Sequence, residues 1–404
     1  METSPAERAG LDAAVARRAL SVFFLSGLLM AFLGAILPAW GYHIRGEFVT
    51  VGHYFLSLNI GLLASMKACQ QWVARKGISF VLVLGSGLAG GSFLWLALAS
   101  PPAHWGWRMA GLALVGFSTG LLNGSAFHAI SSIYRHDRAS TVNLAGAFHG
   151  LGCLVMTLLV AGTFYVYTVP SILFLVALIP GFYAGYCARF SFPIAPAQPE
   201  LKWQQALEDL KTPVGALFGI LLFFQFGNEW SVAGWLPLFL IQRMGVSPAS
   251  SLTFLALYWL ALLVGRTAAQ ALLPHLRHSR LLLASVMAAL LGCLILMFTD
   301  NRFGAGAGIL LLGGGFAAIY PLVVEKIGDR FPYYHPGFFN GIFSFAITGG
   351  LMAPWTLGYI VPALGIRAVM GLPLAGTFVV FVLVILLSVE ARLTGGDVGR
   401  RPSS

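Results

Sequence analysis

Twelve apolar stretches, each about as long as a membrane-crossing helix, fill nearly the whole of this 404-residue chain. A helix needs about 20 apolar residues to span the hydrocarbon core of a bilayer. Inside that core every backbone polar group must be paired within a helix or a closed barrel. The runs are long and continuous rather than short and alternating, so helices are expected. The fold class that follows is an all-α polytopic membrane protein. Only 9% of residues are charged, against about 25% in soluble domains, and little sequence is left for a soluble catalytic domain.

The spans are predicted at 20–42, 51–73, 78–99, 108–134, 140–163, 168–190, 213–241, 248–273, 279–299, 303–326, 337–361 and 366–391. With a cytoplasmic N-terminus, seventeen Lys and Arg residues fall in inside segments and five in outside segments. The positive-inside bias therefore predicts both termini in the cytoplasm. The net charge of +10 reflects this placement, and no nucleic-acid partner is expected. Cys69, Cys153, Cys187 and Cys293 all fall within spans, without the paired spacing of a disulfide framework or a metal site. There is no phosphate loop and no nucleophile elbow. Neither a cofactor nor an enzymatic activity is expected.

The longest internal polar interruption, 191–212, begins Pro-rich and then places Trp203, Leu207 and Leu210 on one helical face. It is read as a cytoplasmic linker between an N-terminal six-helix bundle (1–190) and a C-terminal one with a tail (213–404). The halves echo each other. "NLAGAFHGLG" from Asn143 and "NGIFSFAITGG" from Asn340 begin 197 residues apart, and each reaches a glycine nine residues on, Gly152 and Gly349. The same offset sets Gly116 on Gly313 and Asn123 on Tyr320. Parallel six-helix repeats of this kind place substrate near the midplane between the halves.

Twelve spans, a six-plus-six repeat and a central cytoplasmic loop resemble the major facilitator superfamily. The loop after the second span, "QQWVARKGIS", keeps Arg75 and Gly77 of that family's signature, and "VGRTAAQALLPHLRHSR" keeps Gly265 and Arg266 in the second half. "NLAGAFHGLG", "GNEWSVAGWLPLFL" and "NGIFSFAITGGLMAPWTLG" look like the fucose/glucose permease branch of proton-linked sugar transporters. That resemblance implies a secondary transporter working by alternating access, most simply as a monomer in a bacterial inner membrane, with a hexose-type sugar and protons as partners. It also implies carboxylates on spans one and four. This chain has no acid on the first span, and has Asn123 and His128 on the fourth.

Glu229 is the deepest acid, near the middle of the seventh span. Intramembrane carboxylates are costly and face a bundle interior or a watery cavity. Gln225, Asn228, Glu229 and Trp235 are expected on roughly one helical face, as an amide–carboxylate–indole cluster suited to a sugar. Glu229 is expected to carry the coupled proton, and a helix-stapling role is the alternative. Asn123 is read either as a substrate contact or as a hydrogen bond between helices. His128 is either a proton relay or a satisfied interhelical histidine. The resemblance favours cavity positions for Asn143, His149 and Asn340, and Tyr320 and Trp355 are candidates to stack on substrate. Arg75, Arg266 and Glu325 are expected to gate, and Lys67 either to snorkel toward the cytoplasmic surface, to pair with an acid or to attract an anionic substrate. Two other functions stay open: a proton-antiport efflux transporter of hydrophobic drugs or metabolites, and an uncoupled sugar uniporter.

Overall fold

The computed structural model describes residues 5–130, 138–190, 192, 208, 210–273, 275–331 and 341–393. Among these are twelve helices long and apolar enough to cross a membrane. They are α1 (Pro5–Ile36), α2 (Phe48–Lys76), α3 (Ile78–Leu98), α4 (Trp105–Ala129), α5 (Arg138–Thr163), α6 (Val169–Ala188), α7 (Pro213–Met244), α8 (Pro248–Leu272), α9 (His278–Phe298), α10 (Arg302–Arg330), α11 (Gly341–Leu364) and α12 (Ala368–Leu393). The fold is all-helical, as the sequence predicts. Most of the linker, with Trp203 and Leu207, lies outside the described residues, as does Asn340.

Local chemistry sets several boundaries. Pro213 and Pro248 begin α7 and α8, where their missing N–H groups cost nothing. Thr212 and Ser247 cap those helices, accepting from Gly215 N at 3.1 Å and Ser250 N at 3.2 Å. Gly245, at φ 61°, ends α7. The first span stops earlier than predicted, at Ile36. Beyond it Pro38 precedes Gly41, whose φ of 79° belongs to the left-handed region. The chain turns there into a single helical turn, Tyr42–Arg45.

Packing repeats between the halves. In the first, α1 packs on α5, α2 on α4 and α3 on α6; in the second, α7 packs on α11, α8 on α10 and α9 on α12. The glycines paired by the 197-residue offset do the same work in each half. Gly152 on α5 meets the backbone of α1 at Phe24, and Gly349 on α11 meets α7 at Phe223. Gly116 on α4 meets α2 at Leu58, and Gly313 on α10 meets α8 at Tyr258. At each place a β-carbon would collide with a carbonyl oxygen. Small residues let membrane helices approach this closely, where packing replaces the hydrophobic drive available in water. Between halves, the main seams are α5 with α8 and α2 with α11, again a symmetric pair.

The end of the bundle away from the termini, called here the far side, holds a buried cation. Arg108, 3% exposed, donates from Nε to Tyr54 Oη (2.6 Å), from Nη1 to Ala99 O (3.0 Å) and Ala103 O (2.9 Å), and from Nη2 to Tyr42 Oη (3.2 Å). The faces of Trp40 and Tyr54 lie 5.8 Å from its Cζ. A guanidinium can be buried without a carboxylate when most of its donors are paired in this way.

Candidate functional site

Eight helices, α1, α2, α4, α5, α7, α8, α10 and α11, enclose a central cavity of about 220 Å³. The other four stand outside it. All lining residues lie at mid-helix or toward the termini side; Phe23, Met66, Phe127, Val142, Arg266 and Phe343 mark that end. The volume is below the ~300–1,000 Å³ of drug-sized pockets and suits a small solute.

The far side above the cavity is sealed. Gly34 on α1 lies against the Ala233 carbonyl of α7. Phe55 of α2 stacks on Trp235 of α7 with centroids 6.1 Å apart, and the Trp235 indole donates to Pro354 O at 3.0 Å. Pro354 has no N–H, so the Gly350 carbonyl one turn earlier loses its helical partner. Asn59 Nδ2 on α2 donates to that carbonyl across the seam at 3.3 Å. His53 and Tyr359 bond at 2.9 Å nearer the surface. Among the described residues the far side is therefore closed, and the cavity lies on the termini side of that seal.

Five expected site residues line the cavity: Asn123, His149, Glu229, Tyr320 and Arg266. Gln225 stands behind them and donates to Glu229 Oε1 at 2.7 Å. Ser26 on α1, which the sequence reading did not single out, donates to Asn123 Oδ1 at 2.7 Å and lies 3.5 Å from His149 Nδ1. It links α4, α1 and α5 at the cavity wall. Glu229 and Arg266 share the cavity, yet among the described residues neither has an ion-pair partner. No group of three or more His, Cys, Asp or Glu able to hold a metal gathers among the described residues.

Other expected residues stand elsewhere. Trp235 is fully buried in the far-side seal. Asn228 points to α12, where its Nδ2 donates to Thr377 Oγ1 at 3.2 Å. Helix geometry explains both. At 100° per residue, positions 228 and 235 share one direction, while 229 is turned 100° away. The arc of α7 that faces the cavity is centred near Phe226, with Glu229 about 60° to one side and Trp230 about 40° to the other, and positions 228 and 235 lie on the opposite side of the helix. Asn143 sits in the α5–α8 seam, donating to Arg266 O and Gln270 Oε1 at 2.8 Å each. His128 is buried in α4 outside the cavity lining. Trp355 packs edge-on to Tyr359, with centroids 5.8 Å apart, near the far side.

The expected gate changes as well. Glu325 Oε2 forms an ion pair with His278 Nδ1 at 3.0 Å, joining α10 to α9 within the second half, and makes none with Arg266. Arg75 is exposed at the end of α2, and Lys67 is exposed on the same helix. Arg266 faces inward. Its Nη1 donates to the Gly146 carbonyl of α5, which places the guanidinium on the cavity wall. Trp259, seven residues earlier on the same face of α8, lines the cavity beside it. The i, i+7 spacing from Arg266 was the sequence signal for this tryptophan.

The sequence profile of the Major Facilitator Superfamily matches residues 19–353. An uncharacterized transporter of this type from Yersinia pestis is 23% identical over 349 residues, covering 84% of this chain and 86% of its own. Among solved structures, the Escherichia coli fucose:proton symporter aligns with a TM-score of 0.64 at 16% identity, over 93% of this chain and 99% of its own. A nucleoside transporter aligns with a TM-score of 0.70 at 12% identity, over 93% and 99%. At such identities the likeness of structure concerns the fold.

Proposed function

The chain belongs to the Major Facilitator Superfamily, and from that premise we propose that it is a proton-coupled transporter of a compact, hydroxylated solute of hexose size. The observation that carries this reading is Glu229, the sole carboxylate lining the cavity among the described residues. Trp230 and Trp259 flank it with flat apolar faces, and Asn123 and His149 supply polar groups on the opposite half. Aromatic faces with a few convergent polar groups are what a sugar-like solute requires.

In this reading the termini are cytoplasmic, the halves 1–190 and 213–404 rock about the α2–α11 and α5–α8 seams, and the cavity faces the cytoplasm here. Glu229 takes a proton when the cavity opens outward and releases it inward, with Gln225 steadying the charged form. Each solute would be bound in one access state and released in the other, since a ligand shifts such an equilibrium only by its difference in affinity for the two states. The phenylalanines lining the walls, Phe23, Phe127, Phe226 and Phe343, favour a second reading, proton-driven export of apolar solutes.

Uptake of labelled hexoses into proteoliposomes, with and without an inward proton gradient, tests the proposal. Gradient-driven accumulation that Glu229→Gln abolishes is expected. Accumulation that survives in Glu229→Gln removes the coupling role. Equilibration indifferent to the gradient makes the protein a uniporter, and competition by lipophilic cations but not sugars moves the export reading first.

A further inference from the structure

Two arginines are buried among the described residues, and they are treated differently. Arg108 is 3% exposed and makes four hydrogen bonds through all three nitrogens, to two phenols and two carbonyls. Arg266 is 7% exposed, yet among the described residues its guanidinium has one acceptor, the Gly146 carbonyl. Its Nε is fully buried without a partner. A guanidinium has five donors and cannot shed its charge. Arg108 directs four of those five donors to acceptors.

Arg266 is also held in place. Gly146 leaves room on α5 for the guanidinium to lie against the helix, since a β-carbon there would sit 2.8 Å from Cζ. Asn143 pins the α8 backbone at Arg266 through that residue's own carbonyl, at 2.8 Å. The cation therefore stays at the cavity wall instead of snorkelling to the surface. Glu229 lines the same cavity, close enough for its charge to act on Arg266 but with no direct ion pair between them.

We infer that the transported solute carries a negative charge, a small monocarboxylate of the sugar-acid type, whose carboxylate docks on the Arg266 guanidinium while its hydroxylated body lies among Asn123, His149, Trp230 and Trp259. The inference rests on the reading of this cavity as the substrate site. A planar guanidinium matches a carboxylate in two parallel hydrogen bonds. A bound carboxylate compensates a charge that is otherwise costly in a membrane interior. It also fixes the charge moved per cycle. One anion entering with one proton on Glu229 moves no net charge, whereas a neutral sugar with one proton moves one.

Matched neutral and carboxylate probes test this on the wild-type protein: glucose against glucuronate, and glycerol against glycerate. Affinity is read by thermal stabilisation of the purified carrier up to roughly 10 mM. The carboxylate should bind about tenfold more tightly in at least one pair, and Arg266→Gln should erase that preference while Arg266→Lys keeps part of it. In proteoliposomes, an inside-negative voltage set with potassium and valinomycin should leave glucuronate uptake within about twofold.

Equal or tighter binding of the neutral partner in every pair overturns the inference. So does absence of carboxylate binding, a preference that survives in Arg266→Gln, or uptake that rises several-fold with voltage. Proton-driven uptake of neutral hexoses with carboxylates ignored sinks this inference and leaves the coupling role of Glu229 standing. Carboxylate-selective uptake indifferent to the proton gradient does the reverse.

Discussion

Gly52 and Gly292 make a matched pair for separating motion from stability. A β-carbon at Gly52 would lie 2.7 Å from Trp355 O and 3.1 Å from Gly358 Cα, across the far-side seam between the halves. One at Gly292 would lie 2.6 Å from Leu312 N and 2.8 Å from Gly308 O, within the second half. Both substitutions to alanine thus force backbones apart by similar fractions of an ångström, at a cost of about 1–3 kcal/mol. If the halves rock as rigid bodies, Gly292→Ala burdens every conformer, and the thermal midpoint should fall by on the order of a few degrees. Gly52→Ala burdens only the sealed conformer. The ratio of sealed to far-side-open protein should then drop by a factor of about 5–150, so that about 100:1 becomes something between about 20:1 and parity. Pulsed-EPR distances between spin labels at Ile44→Cys and Leu364→Cys, both exposed far-side positions in opposite halves, report that ratio in a background without the four native cysteines. A longer distance population should grow in Gly52→Ala and not in Gly292→Ala. If the two variants lose the same thermal stability and the distance distribution does not change, the far seam is a fixed joint and the reasoning fails.

Other features give shorter tests. A double-mutant cycle of Arg108→Gln and Tyr54→Phe should show a coupling of about 1–3 kcal/mol in unfolding, because the Nε–Oη bond of 2.6 Å is buried and charge-assisted. Trp235→Phe removes the bond to Pro354 O; it should favour far-side opening in the same EPR assay, yet leave solute affinity within about twofold because the ring lies outside the cavity. Burial holds the His43 imidazole, outside the spans, below its ordinary value of 6.5. The unfolded chain therefore takes up that proton first as pH falls. Stability should decline as pH drops below about 6.5, and the part due to this residue should vanish in His43→Gln, as followed by thermal melts across pH 5–8.

The fold was legible because the bilayer makes span length and apolarity nearly sufficient, and the repeat was legible through glycines. Gly116, Gly152, Gly313 and Gly349 recur at one offset since each half needs the same close backbone approach. Of the candidate site, single polar residues at mid-span were legible: Glu229, Asn123, His149 and Tyr320 line the cavity. Which neighbours join them was not, because that depends on rotation about the helix axis. Treating residues 225–235 as one face put Trp235 and Asn228 beside Glu229, while the 100° step per residue sets Glu229, Phe226 and Trp230 on one arc and turns 228 and 235 to the opposite side. Ser26 escaped notice because a serine in an apolar span usually bonds its own helix; only the approach of α4 and α5 gives it two polar neighbours. Arg266 was expected to gate for want of knowledge that α5 offers it Gly146. Glu325 finds its partner, His278, on a helix that the sequence does not place beside it.

The carbonyl freed by Pro354 gives the seal a further property. While α2 and α11 are together, Asn59 occupies the Gly350 oxygen. Once they part, the Asn59 amide keeps its bond to Phe55 O on its own helix, at 2.9 Å, but the Gly350 carbonyl has no helical partner to return to, because the proline ring has removed the usual donor. That carbonyl must then be hydrated. Opening of the far side is in this sense a wetting transition, governed by the supply of water to one carbonyl as much as by the separation of helices. Conditions that lower water activity, such as high concentrations of an excluded osmolyte, would hold the carrier shut at that end with no ligand bound at all.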